Sequence, residues 1–475
     1  MDRETWRGRR CLVVGLAREG VALARFLAES GALVTVTDHK PAEALAEARA
    51  ALSDLPLLYQ LGGHPVEELL RETELVLASP GVPQTTPLLV AARDRGLPVS
   101  TETRLFIQLC PGRVIGITGS SGKTTTTALV GEMLRLAGRP TWVGGNIGQP
   151  LIRELAHMTA AAWVALELSS FQLEFFGPQV GVRSEWGRNL TGQGLSPPIA
   201  AVLNVTPNHL DRHASMEEYA AAKQNILRYQ AAADWVVLGA DNDWTRGWAA
   251  AAPGRVLQFS RLHPVAEGAC LDGADVVVRL DGRQRRVCAT SEIRLRGAHN
   301  LENVLAACAL SLAAGVEPAA MRQAIGGFTG VEHRLEWVRE VAGVAWYNDS
   351  IATSPERAVA ALRSFDEPIV LLAGGRDKHL PWDAWAQEVA RRVRVLVLFG
   401  EASDLIQREL ARYGVTVPAL YRGETLEGAV KIARREARPG EVVLLAPGGT
   451  SFDAFRDFAE RGQRFKELVH ELAIF

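Results

Sequence analysis

The sequence has few cysteines, almost no net charge and no long apolar run. Its five cysteines are an odd number without C-x-x-C spacing. Neither a disulfide framework nor a paired-cysteine zinc or redox motif is therefore indicated, and we expect reduced, mostly buried thiols. A net charge of −2 over 475 residues gives no field that would attract nucleic acid or an anionic membrane surface.

The apolar segments of the chain are also short. The first one spans residues 11–17, and Arg18 and Glu19 end it after seven residues, which is too short for a signal peptide. No segment approaches the roughly 18 uncharged apolar residues of a membrane-spanning helix. These absences predict a soluble cytoplasmic protein that inserts into no membrane.

The composition is ordinary for a globular enzyme, with 47% hydrophobic and 22% charged residues. A length of 475 residues suggests about three domains. Short apolar runs alternate with longer segments of helical period, which predicts α/β domains built on parallel, doubly wound sheets. Breaks in this alternation place the domains at residues 1–103, 104–331 and 332–475. Between Phe259 and Ile293 short strands and Gly/Asp turns indicate a β excursion inside the middle domain.

A glycine-rich loop follows an apolar strand in "VIGITGSSGKTTTTALV" (Val114–Val130). The Walker A pattern G-x-x-x-x-G-K-[ST] would need glycine at residue 117, where the sequence has isoleucine. The segment Gly119–Thr124 nevertheless joins a predicted strand to a predicted helix, where backbone N–H groups can hold phosphate oxygens. Lys123 could reach the β- and γ-phosphates, and the Thr124 hydroxyl suits Mg²⁺. An ordinary Gly/Ser turn is the alternative interpretation.

Polar residues stand where two later strands end. Glu167 closes the apolar strand "VALE", and His209 and Asp211 follow the strand that ends near Asn204. Ligand sites of parallel sheets lie at this edge, and Mg²⁺ prefers carboxylate oxygens. Taken alone, Glu167 fits a metal ligand and a solvated edge residue equally well, whereas His209 fits a non-functional position better.

Two further residues carry weaker signals. Lys223 lies on a helix that starts at a Ser215 cap with Glu218 in the capping-box position, and by itself it is interpreted as a solvated surface residue. The N-terminal "VVGLAREG" lacks the second glycine of the dinucleotide fingerprint. Asp38 ends the next strand and could accept hydrogen bonds from a ribose or a uracil. We therefore expect a nucleotide-like site there, and the incomplete fingerprint does not commit it to NAD.

The order of the motifs resembles that of the Mur ligases of peptidoglycan synthesis, over essentially the whole chain. The motifs are "TGSSGKTTT", "GGNIG", "LELSSFQLE", "NVTPNHLDRH" with its downstream "AAK", "RGAHNLENVLAA", "EHRLE", "YNDSIATSP", "LLAGGRDK" and "LLAPGGTSFDAFRDFAERGQRF". The loop of that family is G-x-x-G-K-[ST]-[ST], so Ile117 is no departure from it.

The resemblance implies three domains: a UDP-binding Rossmann-like N-terminal domain, a central P-loop ATPase-type domain and a Rossmann-like C-terminal domain that binds an amino acid. It also implies a reaction. The carboxylate of UDP-N-acetylmuramoyl-L-alanine would take the γ-phosphoryl group of MgATP, and the amino group of glutamate, with D-glutamate expected, would attack the acyl phosphate. Two Mg²⁺ sites, a carbamylated Lys223 and a monomeric enzyme are implied as well.

The same resemblance implies roles for individual residues. ATP would be bound by Gly119, Ser120, Ser121, Gly122, Lys123, Thr124, Thr125, Asn300, Asn303, Arg334 and Asp349. The UDP-sugar would contact Leu16, Ala17, Asp38, Gly81 and Asn146. The amino acid would contact Thr353, Lys378, Ser451, Phe452 and Phe458. Catalysis would involve Lys123, Glu167, His209 and Lys223, and Mg²⁺ would be held by Thr124, Glu167, His209 and the carbamate of Lys223.

Two departures from the family pattern bear on specificity. The family's usual "NDSKAT" reads "NDSIAT" here, so Ile351 replaces a lysine near the amino acid, and Arg376, Lys378 and His379 are candidates to compensate. The segment Gly177–Pro198 is longer than the usual connection. Its Trp186, Arg188 and Asn189 would either cover the sugar substrate or decorate the surface.

Three alternatives stay open at this point. L-glutamate or another acidic amino acid would preserve the ligase chemistry. A non-catalytic nucleotide-binding protein would be expected to have lost metal residues, whereas Glu167, His209 and Lys223 are all present. An oxidoreductase is disfavoured by the incomplete dinucleotide fingerprint.

Overall fold

The computed structural model describes residues 5–182, 192–208, 212–378 and 380–472. Packing divides the chain into two compact units, one formed by Met1–Glu292 with Glu302–Gly326 and the other by Ile293–Leu301 with Gly327–Phe475. Two sheets lie in the first unit and one in the second. The three-domain α/β architecture predicted from the sequence is confirmed. Each predicted domain range contains one sheet, and the exact limits of those ranges stay predictions.

The first sheet consists of five parallel strands that alternate with helices. Its elements are β1 (Arg10–Val14), α1 (Arg18–Glu29), β2 (Leu33–Asp38), α2 (Ala46–Ala50), β3 (Leu58–Leu61), α3 (Val66–Leu70), β4 (Leu75–Ala78), α4 (Pro87–Asp94), β5 (Val99–Ser100) and α5 (Glu102–Leu109). The strand order β3-β2-β1-β4-β5 is that of a Rossmann-like sheet, whose strand order reverses beside β1. A ligand site is therefore expected after β1.

The second sheet has nine strands and carries most of the candidate site. Its elements are β6 (Arg113–Thr118), α6 (Lys123–Leu136), β7 (Thr141–Gly145), β8 (Trp163–Glu167), α7 (Ser170–Leu173), β9 (Ile199–Val202), α8 (Met216–Arg228), β10 (Trp235–Gly239), α9 (Asp243–Trp248), β11 (Arg255–Ser260), β12 (Gly268–Asp272), β13 (Asp275–Leu280), β14 (Arg283–Ala289), α10 (Ala298–Ala313) and α11 (Pro318–Gly327). The strand order is β14-β13-β12-β11-β10-β9-β6-β8-β7. β12, β13 and β14 pair antiparallel at one edge, which is where the sequence predicted a β excursion.

The third sheet has six strands. Its elements are β15 (Glu336–Val341), β16 (Val344–Asn348), α12 (Pro355–Leu362), β17 (Ile369–Gly374), α13 (Asp383–Arg392), β18 (Val393–Phe399), α14 (Ser403–Arg412), β19 (Ala419–Glu424), α15 (Leu426–Glu436), β20 (Val442–Gly448) and α16 (Phe458–Glu471). The order is β15-β16-β20-β17-β18-β19, with only β15 antiparallel to its neighbour among the described strand pairs. The sequence did not reveal β15 and β19, because both are partly exposed edge strands in which polar residues interrupt the apolar run.

Burial explains why the central strands read as continuous apolar runs. Every residue of β17 and of β20 is buried, because helices cover both faces of a parallel sheet. Separate apolar cores lie on the two faces of the third sheet. In the second sheet β9, β6 and β8 are neighbours, so the loops after their carboxyl ends meet at one edge.

One of the boundaries between the two units falls within α10. Arg296, just before this helix, donates from Nε to the hydroxyl of Tyr347 at 2.6 Å and forms an ion pair with Glu367. Within the helix, Glu302 accepts a hydrogen bond from Nε of Arg261 at 3.1 Å. These contacts explain why residues 293–301 belong to one unit and residues 302–326 belong to the other.

Two expectations from the composition can be compared with the structure. All five cysteines are free thiols, and four of them are buried. Burial raises the pKa of Cys11 to about 12, so that thiol is unreactive at neutral pH. In the described ranges, no helix combines the length and the apolar composition that crossing a membrane requires.

Candidate functional site

The loop between β6 and α6 forms the centre of the candidate site in the first unit. Gly122 caps α6 with φ of +81°, and a Cβ atom at this position would collide with Oδ1 of Asn303. Asn204 fixes the loop from the neighbouring strand, since its Oδ1 accepts the N–H of Ser121 at 3.0 Å. The first N–H groups of α6 have no acceptor within the helix, so this end can hold phosphate oxygens.

Two lysines converge on this loop. Nζ of Lys123 and Nζ of Lys223 each donate to the carbonyl oxygen of Gly119 at 2.9 Å. Lys223 is only 1% exposed, so its interpretation as a solvated surface residue is wrong. Burial, and then the nearby Lys123, hold the pKa of Lys223 well below its usual value, while Glu167 acts in the opposite direction. This environment favours the neutral amine of Lys223.

Glu167 lies at the end of β8 and is 2% exposed. Its Oε1 accepts a hydrogen bond from Nδ2 of Asn146 at 3.0 Å. Its Oε2 is buried and accepts no hydrogen bond from the described part of the chain. A buried carboxylate oxygen without a donor is costly unless a ligand or an ion satisfies it. Asn146, a predicted sugar contact, is therefore hydrogen-bonded to Glu167, a predicted metal ligand.

The geometry indicates which residues could hold a metal. Among the described residues, no three His, Cys, Asp or Glu side chains cluster as a ligand set. His209 and Asp211 lie outside the described residues. The donors available at this edge are the free Oε2 of Glu167 and the hydroxyl of the half-buried Thr124 at the start of α6. An oxygen-only set of this kind suits Mg²⁺, which takes few protein ligands and keeps water and phosphate oxygens.

Sequence reasoning missed Tyr219 and Arg212. The hydroxyl of Tyr219 donates to Oγ of Ser120 at 3.1 Å, and Nζ of Lys223 lies 4.5 Å from the centre of its ring. The i, i+4 spacing of Tyr219 and Lys223 on one helix could have revealed this pair. Arg212 donates to Glu174 and to the carbonyl of Gly81, both at 3.3 Å. It thereby contacts a loop of the first sheet domain.

The start of α8 differs slightly from the predicted capping box. Oγ of Ser215 accepts the N–H of Glu218 at 3.2 Å, as expected for the cap. The Glu218 carboxylate, however, accepts the N–H of Ala214 at 2.8 Å, one residue before the cap. The helix start is thus stabilised as predicted, with the reciprocal bond shifted by one residue.

A buried polar cluster links the first two sheet domains. Nε2 of Gln172 donates to Oε1 of Glu19 at 3.1 Å and to Oγ1 of Thr103 at 2.9 Å. Glu102 accepts the N–H of Ile152 at 3.2 Å. Burial raises the pKa of Glu19 to about 7, and burial together with Glu19 raises the pKa of Glu102 to about 8. At neutral pH this cluster binds protons that an exposed carboxyl pair would have lost.

The predicted UDP-sugar residues of the first domain lie at the carboxyl ends of three strands: Leu16 and Ala17 follow β1, Asp38 ends β2 and Gly81 follows β4. Asp38 is buried, and its carboxylate accepts the N–H groups of Leu16 at 2.8 Å and of Lys40 at 2.9 Å. Asp38 thus shapes the loop after β1, and Ala17 caps α1 without a side-chain hydrogen bond. Gly81 contributes the carbonyl that Arg212 contacts. These side chains and backbone groups surround the point where the strand order reverses.

The two asparagines of "HNLEN" are both buried but belong to different units. Asn303 lies in the first unit, with its Oδ1 against Gly122 of the phosphate loop. Asn300 lies in the second unit, and its Nδ2 donates to the carbonyl of Arg296 at 2.7 Å.

In the second unit, Asp349 follows β16 and is buried. Its carboxylate accepts the N–H of Leu335 at 3.0 Å. Burial raises its pKa to about 6, while Arg334 and Arg357 act in the opposite direction. Asp349 and Arg334, both predicted to act on ATP, therefore lie close enough to interact.

The predicted amino-acid residues surround two adjacent turns. Nζ of Lys378 donates to Oγ1 of Thr353 at 3.3 Å. Backbone pairing of Arg376 with Thr450 brings the loop of Lys378 beside the loop of Ser451. Ser451 is buried, whereas Phe452 is 61% exposed. Phe458 begins α16, and its carbonyl accepts the hydroxyl of Ser350 at 2.8 Å.

Arg461 holds these turns together and was not assigned from the sequence. Its fully buried guanidinium donates to the carbonyl oxygens of Ser350, Gly449 and Thr450, at 2.9 to 3.2 Å. Burial lowers its pKa to about 10. The residue lies inside the motif "FAERGQRF", and only the packed structure shows which turns it reaches.

The structure also tests which cation could replace the lysine that Ile351 lacks. Arg376 was one candidate, but its Nε and Nη2 donate to the carboxylate of Glu401, at 2.9 and 3.0 Å. Because this guanidinium already has a bidentate carboxylate partner, a substrate carboxylate would have to compete with Glu401 for it. Of the other candidates, Lys378 remains at the turn and His379 lies outside the described residues.

Comparisons with known proteins identify the family. The chain is 46% identical over 468 residues to the UDP-N-acetylmuramoylalanine–D-glutamate ligase of Symbiobacterium thermophilum, covering 98% of each chain. It is 42% identical to the protein of the same name from Koribacter versatilis, again over 98% of each chain. The chain belongs to the Mur ligase family. Family models agree, with a Mur ligase MurD-like N-terminal domain at residues 9–101, a Mur ligase middle domain at 117–311 and a Mur ligase glutamate ligase domain at 333–449.

Solved structures show the same fold at low identity. UDP-N-acetylmuramate-alanine ligase MurC from Thermotoga maritima superposes with a TM-score of 0.57 at 20% identity, over 97% of this chain and 99% of the other. MurF from Acinetobacter baumannii gives 0.54 at 17% identity, over 85% and 87%. These structures agree in fold, and the curated relatives and family models confirm the resemblance to the Mur ligases stated from the sequence.

The long connection of this Mur ligase, residues 177–198, is anchored at both ends. Arg104 is buried and donates to the carbonyls of Phe175, Gly177 and Gln193. The N–H of Gln179 donates to the carbonyl of Gly192 at 2.8 Å. Trp186, Arg188 and Asn189 lie outside the described residues, so a role as substrate cover or surface decoration stays a prediction.

Proposed function

We propose that this Mur ligase is an ATP-dependent amide ligase that adds D-glutamate to UDP-N-acetylmuramoyl-L-alanine through an acyl phosphate. The observation that carries the proposal is the full-length identity of 46% with a relative named for that reaction. The phosphate loop with its two converging lysines supports the ATP chemistry. The substrates would be the UDP-sugar, ATP and glutamate, and the enzyme would act in the cytoplasm as a monomer.

Phosphoryl transfer to a carboxylate brings two anions together, so the protein's contribution is positioning and positive charge. The loop Gly119–Thr125 and the first turn of α6 would hold the phosphates of ATP. Lys123 now bonds to the loop carbonyls of Gly119 and Ser120 and would turn to the β- and γ-phosphates. The carbonyl that it leaves keeps the hydrogen bond from Lys223.

Mg²⁺ fits the donors at this edge because Oε2 of Glu167 is buried without a hydrogen-bond donor in the described chain. Thr124 and Glu167 would hold a first ion, and His209 with a modified Lys223 would hold a second. A bound Mg²⁺ would neutralise the phosphate charge that develops during transfer. Asn146 keeps the Glu167 carboxylate in one orientation through its 3.0 Å hydrogen bond.

We infer that Lys223 becomes a carbamate. The neutral amine of lysine attacks CO₂, a C–N bond forms, and one proton leaves to solvent. The buried position beside Lys123 favours that neutral amine. A carbamate would also convert the repulsion between two lysines into an attraction and would provide oxygen donors for Mg²⁺.

The remaining contacts follow the three sheets. Leu16, Ala17, Asp38 and Gly81 would hold the uridine nucleotide at the switch point after β1, and Asn146 would contact the muramoyl group. Asn300 and Asn303 would approach the adenine, while Arg334 and Asp349 would act on the phosphates and ribose of ATP. For glutamate, the turns around Thr353, Lys378, Ser451, Phe452 and Phe458 would form the binding surface.

Phosphate release tests the proposed function. Purified protein would be incubated with UDP-N-acetylmuramoyl-L-alanine, MgATP and one of D-glutamate, L-glutamate, D-aspartate or no amino acid. We expect release that depends on both the UDP-sugar and D-glutamate. Absence of release with every acidic amino acid would contradict ligase activity. Faster turnover with L-glutamate would contradict only the stereochemical assignment.

A further inference from the structure

The turn formed by Ile351, Ala352 and Thr353 is rigidly held within the second unit. The N–H of Ile351 donates to the carbonyl of His333 at 3.1 Å, and the N–H of Ala352 donates to the carbonyl of Asp349 at 2.9 Å. The carbonyl of Ala352 accepts the N–H of Gly448 at 2.9 Å. Side chains that contact this turn are therefore held against a fixed backbone.

Two cationic side chains contact the turn from different elements. Nη1 of Arg357, in the first turn of α12, donates to the carbonyl of Ile351 at 3.3 Å. Nζ of Lys378, from the loop after β17, donates to Oγ1 of Thr353 at 3.3 Å. The guanidinium thus lies at the backbone of residue 351, where the side chain itself is apolar.

The two cations repel each other. The pKa of Lys378 is lowered by its partial burial and then by the positive charges of Arg357 and Arg461. Arg357 also lies near the positive end of the α12 dipole, where a cationic side chain is unfavourable. Such an arrangement is stabilised when an anion binds between the charges.

No carboxylate in the described part of this unit forms an ion pair with either cation. Neither Arg357 nor Lys378 has a carboxylate within 4.0 Å in residues 327–378 or 380–472, although other cations of the unit do. Arg376 is paired with Glu401, and Lys466 is paired with Glu332 and Glu336. Asp349 lies near Arg357, but it is buried and its carboxylate accepts the N–H of Leu335.

We infer that Arg357 binds a carboxylate of the incoming glutamate, together with Lys378, and replaces the cation that Ile351 does not provide. The inference rests on the proposed function and assigns a specificity residue to it. Arg357 is exposed at the turn and projects from the same backbone segment as Thr353. It would bind the substrate carboxylate in the ground state, so its loss should act mainly on the KM for glutamate.

Four variants test this role: Arg357→Gln, Arg357→Lys, the double variant Ile351→Lys/Arg357→Gln, and the control Arg363→Gln. Arg363 follows the other end of α12 and pairs with Glu388, which keeps Arg392 as a partner. We expect Arg357→Gln to raise the KM for D-glutamate about 5- to 100-fold, with the KM values for ATP and the UDP-sugar unchanged. The KM of Arg357→Lys for D-glutamate should fall between that of Arg357→Gln and that of the wild type.

The double variant separates charge from structure. A lysine at residue 351 restores a cation at the same turn, so it should recover most of the lost affinity for glutamate. A purely structural role of Arg357 would not be rescued in this way, and thermal unfolding of each variant shows whether it is folded. Arg363→Gln should keep the wild-type KM for glutamate.

The outcomes distinguish the inference from the proposed function. The inference alone would be overturned if the wild type releases phosphate with D-glutamate and the KM of Arg357→Gln for glutamate is within twofold of the wild-type KM. A folded double variant without recovery would overturn it as well, and so would an equal rise of KM for all three substrates. A wild-type enzyme inactive with every acidic amino acid would instead overturn the proposed function.

Discussion

From the environment of Lys223 we predict that the turnover of this protein depends on CO₂. Nζ of Lys123 and Nζ of Lys223 are each 2.9 Å from the same oxygen, so the two nitrogens are at most twice that distance, 5.8 Å, apart. Two ammonium charges at this separation repel each other by about 3 kcal/mol at an effective dielectric constant of about 20. Burial adds to this cost, and both effects favour the neutral amine of Lys223 that reacts with CO₂.

The perturbation is Lys223→Arg, with Lys431→Arg as a control at an exposed lysine. A guanidinium stays charged at all accessible pH values, so it cannot form a carbamate. We expect turnover by Lys223→Arg to fall by at least about 100-fold, since losing even an outer partner of a metal ligand typically costs about 10- to 100-fold. The Lys431→Arg variant should match the wild type.

Two measurements check this reasoning. Phosphate release by the wild type should fall after CO₂ is removed from the buffers and should return when bicarbonate is added. With ¹³C-labelled bicarbonate, a protein-bound carbamate signal should be seen by NMR in the wild type and in Lys431→Arg but not in Lys223→Arg. A wild-type protein that shows no such signal and whose turnover is independent of CO₂ would refute the carbamate.

Three further predictions concern other parts of the first unit. Asn146→Ala should raise the Mg²⁺ concentration needed for half-maximal phosphate release about 10- to 100-fold, because Glu167 loses the donor that orients it. Gly122→Ala should raise the KM for ATP, because alanine disfavours φ of +81° and its Cβ meets Asn303; Gly138→Ala, at φ of +76° in open space, is the matched control. Glu102→Gln should become more stable than the wild type as pH rises from 5 to 8, by about 1 kcal/mol per pH unit in thermal or urea unfolding.

The sign of the Glu102 effect follows from the direction of its pKa. Burial raises the folded-state pKa from 4.5 to about 8, so the folded protein binds the proton more tightly than the unfolded chain does. The associated stability is complete below pH 4.5 and is lost as pH rises towards 8, whereas glutamine does not titrate. Equal pH profiles for both proteins would contradict the burial argument. An unchanged Mg²⁺ dependence of Asn146→Ala would contradict the orienting role of Asn146. A KM for ATP in Gly122→Ala equal to that in Gly138→Ala would contradict the requirement for glycine at residue 122.

Several residues could be assigned from sequence because their signal is local. Lys123 and Gly122 follow an apolar strand and begin a helix, and that order is sufficient to predict a phosphate loop. The central strands of the third sheet were evident because burial on both faces requires uninterrupted apolar runs. β15 and β19 were missed for the complementary reason, since one-sided burial at a sheet edge leaves no continuous apolar run.

Other features depend on contacts between distant segments. Lys223 has the local pattern of a surface residue, and only the packing of α8 against the loop after β6 places it, nearly inaccessible, beside Lys123. Arg376 has the pattern of a substrate-binding cation, but in the structure its guanidinium donates to the carboxylate of Glu401, which is far from it in sequence. Arg357 has no recognisable signal in the sequence, and only the structure shows that it and Lys378 contact the same turn at Ile351–Thr353.

The α/β class, the phosphate loop and the order of motifs that marks a Mur ligase could be predicted from the sequence, because these depend on local periodicity and on residue types in a fixed order. The packed structure was needed for the charge state favoured at Lys223, the free oxygen of Glu167 and the partners of each cation around the amino-acid turn. Those properties arise from burial and from the distance to charges elsewhere in the chain, and a linear pattern contains neither.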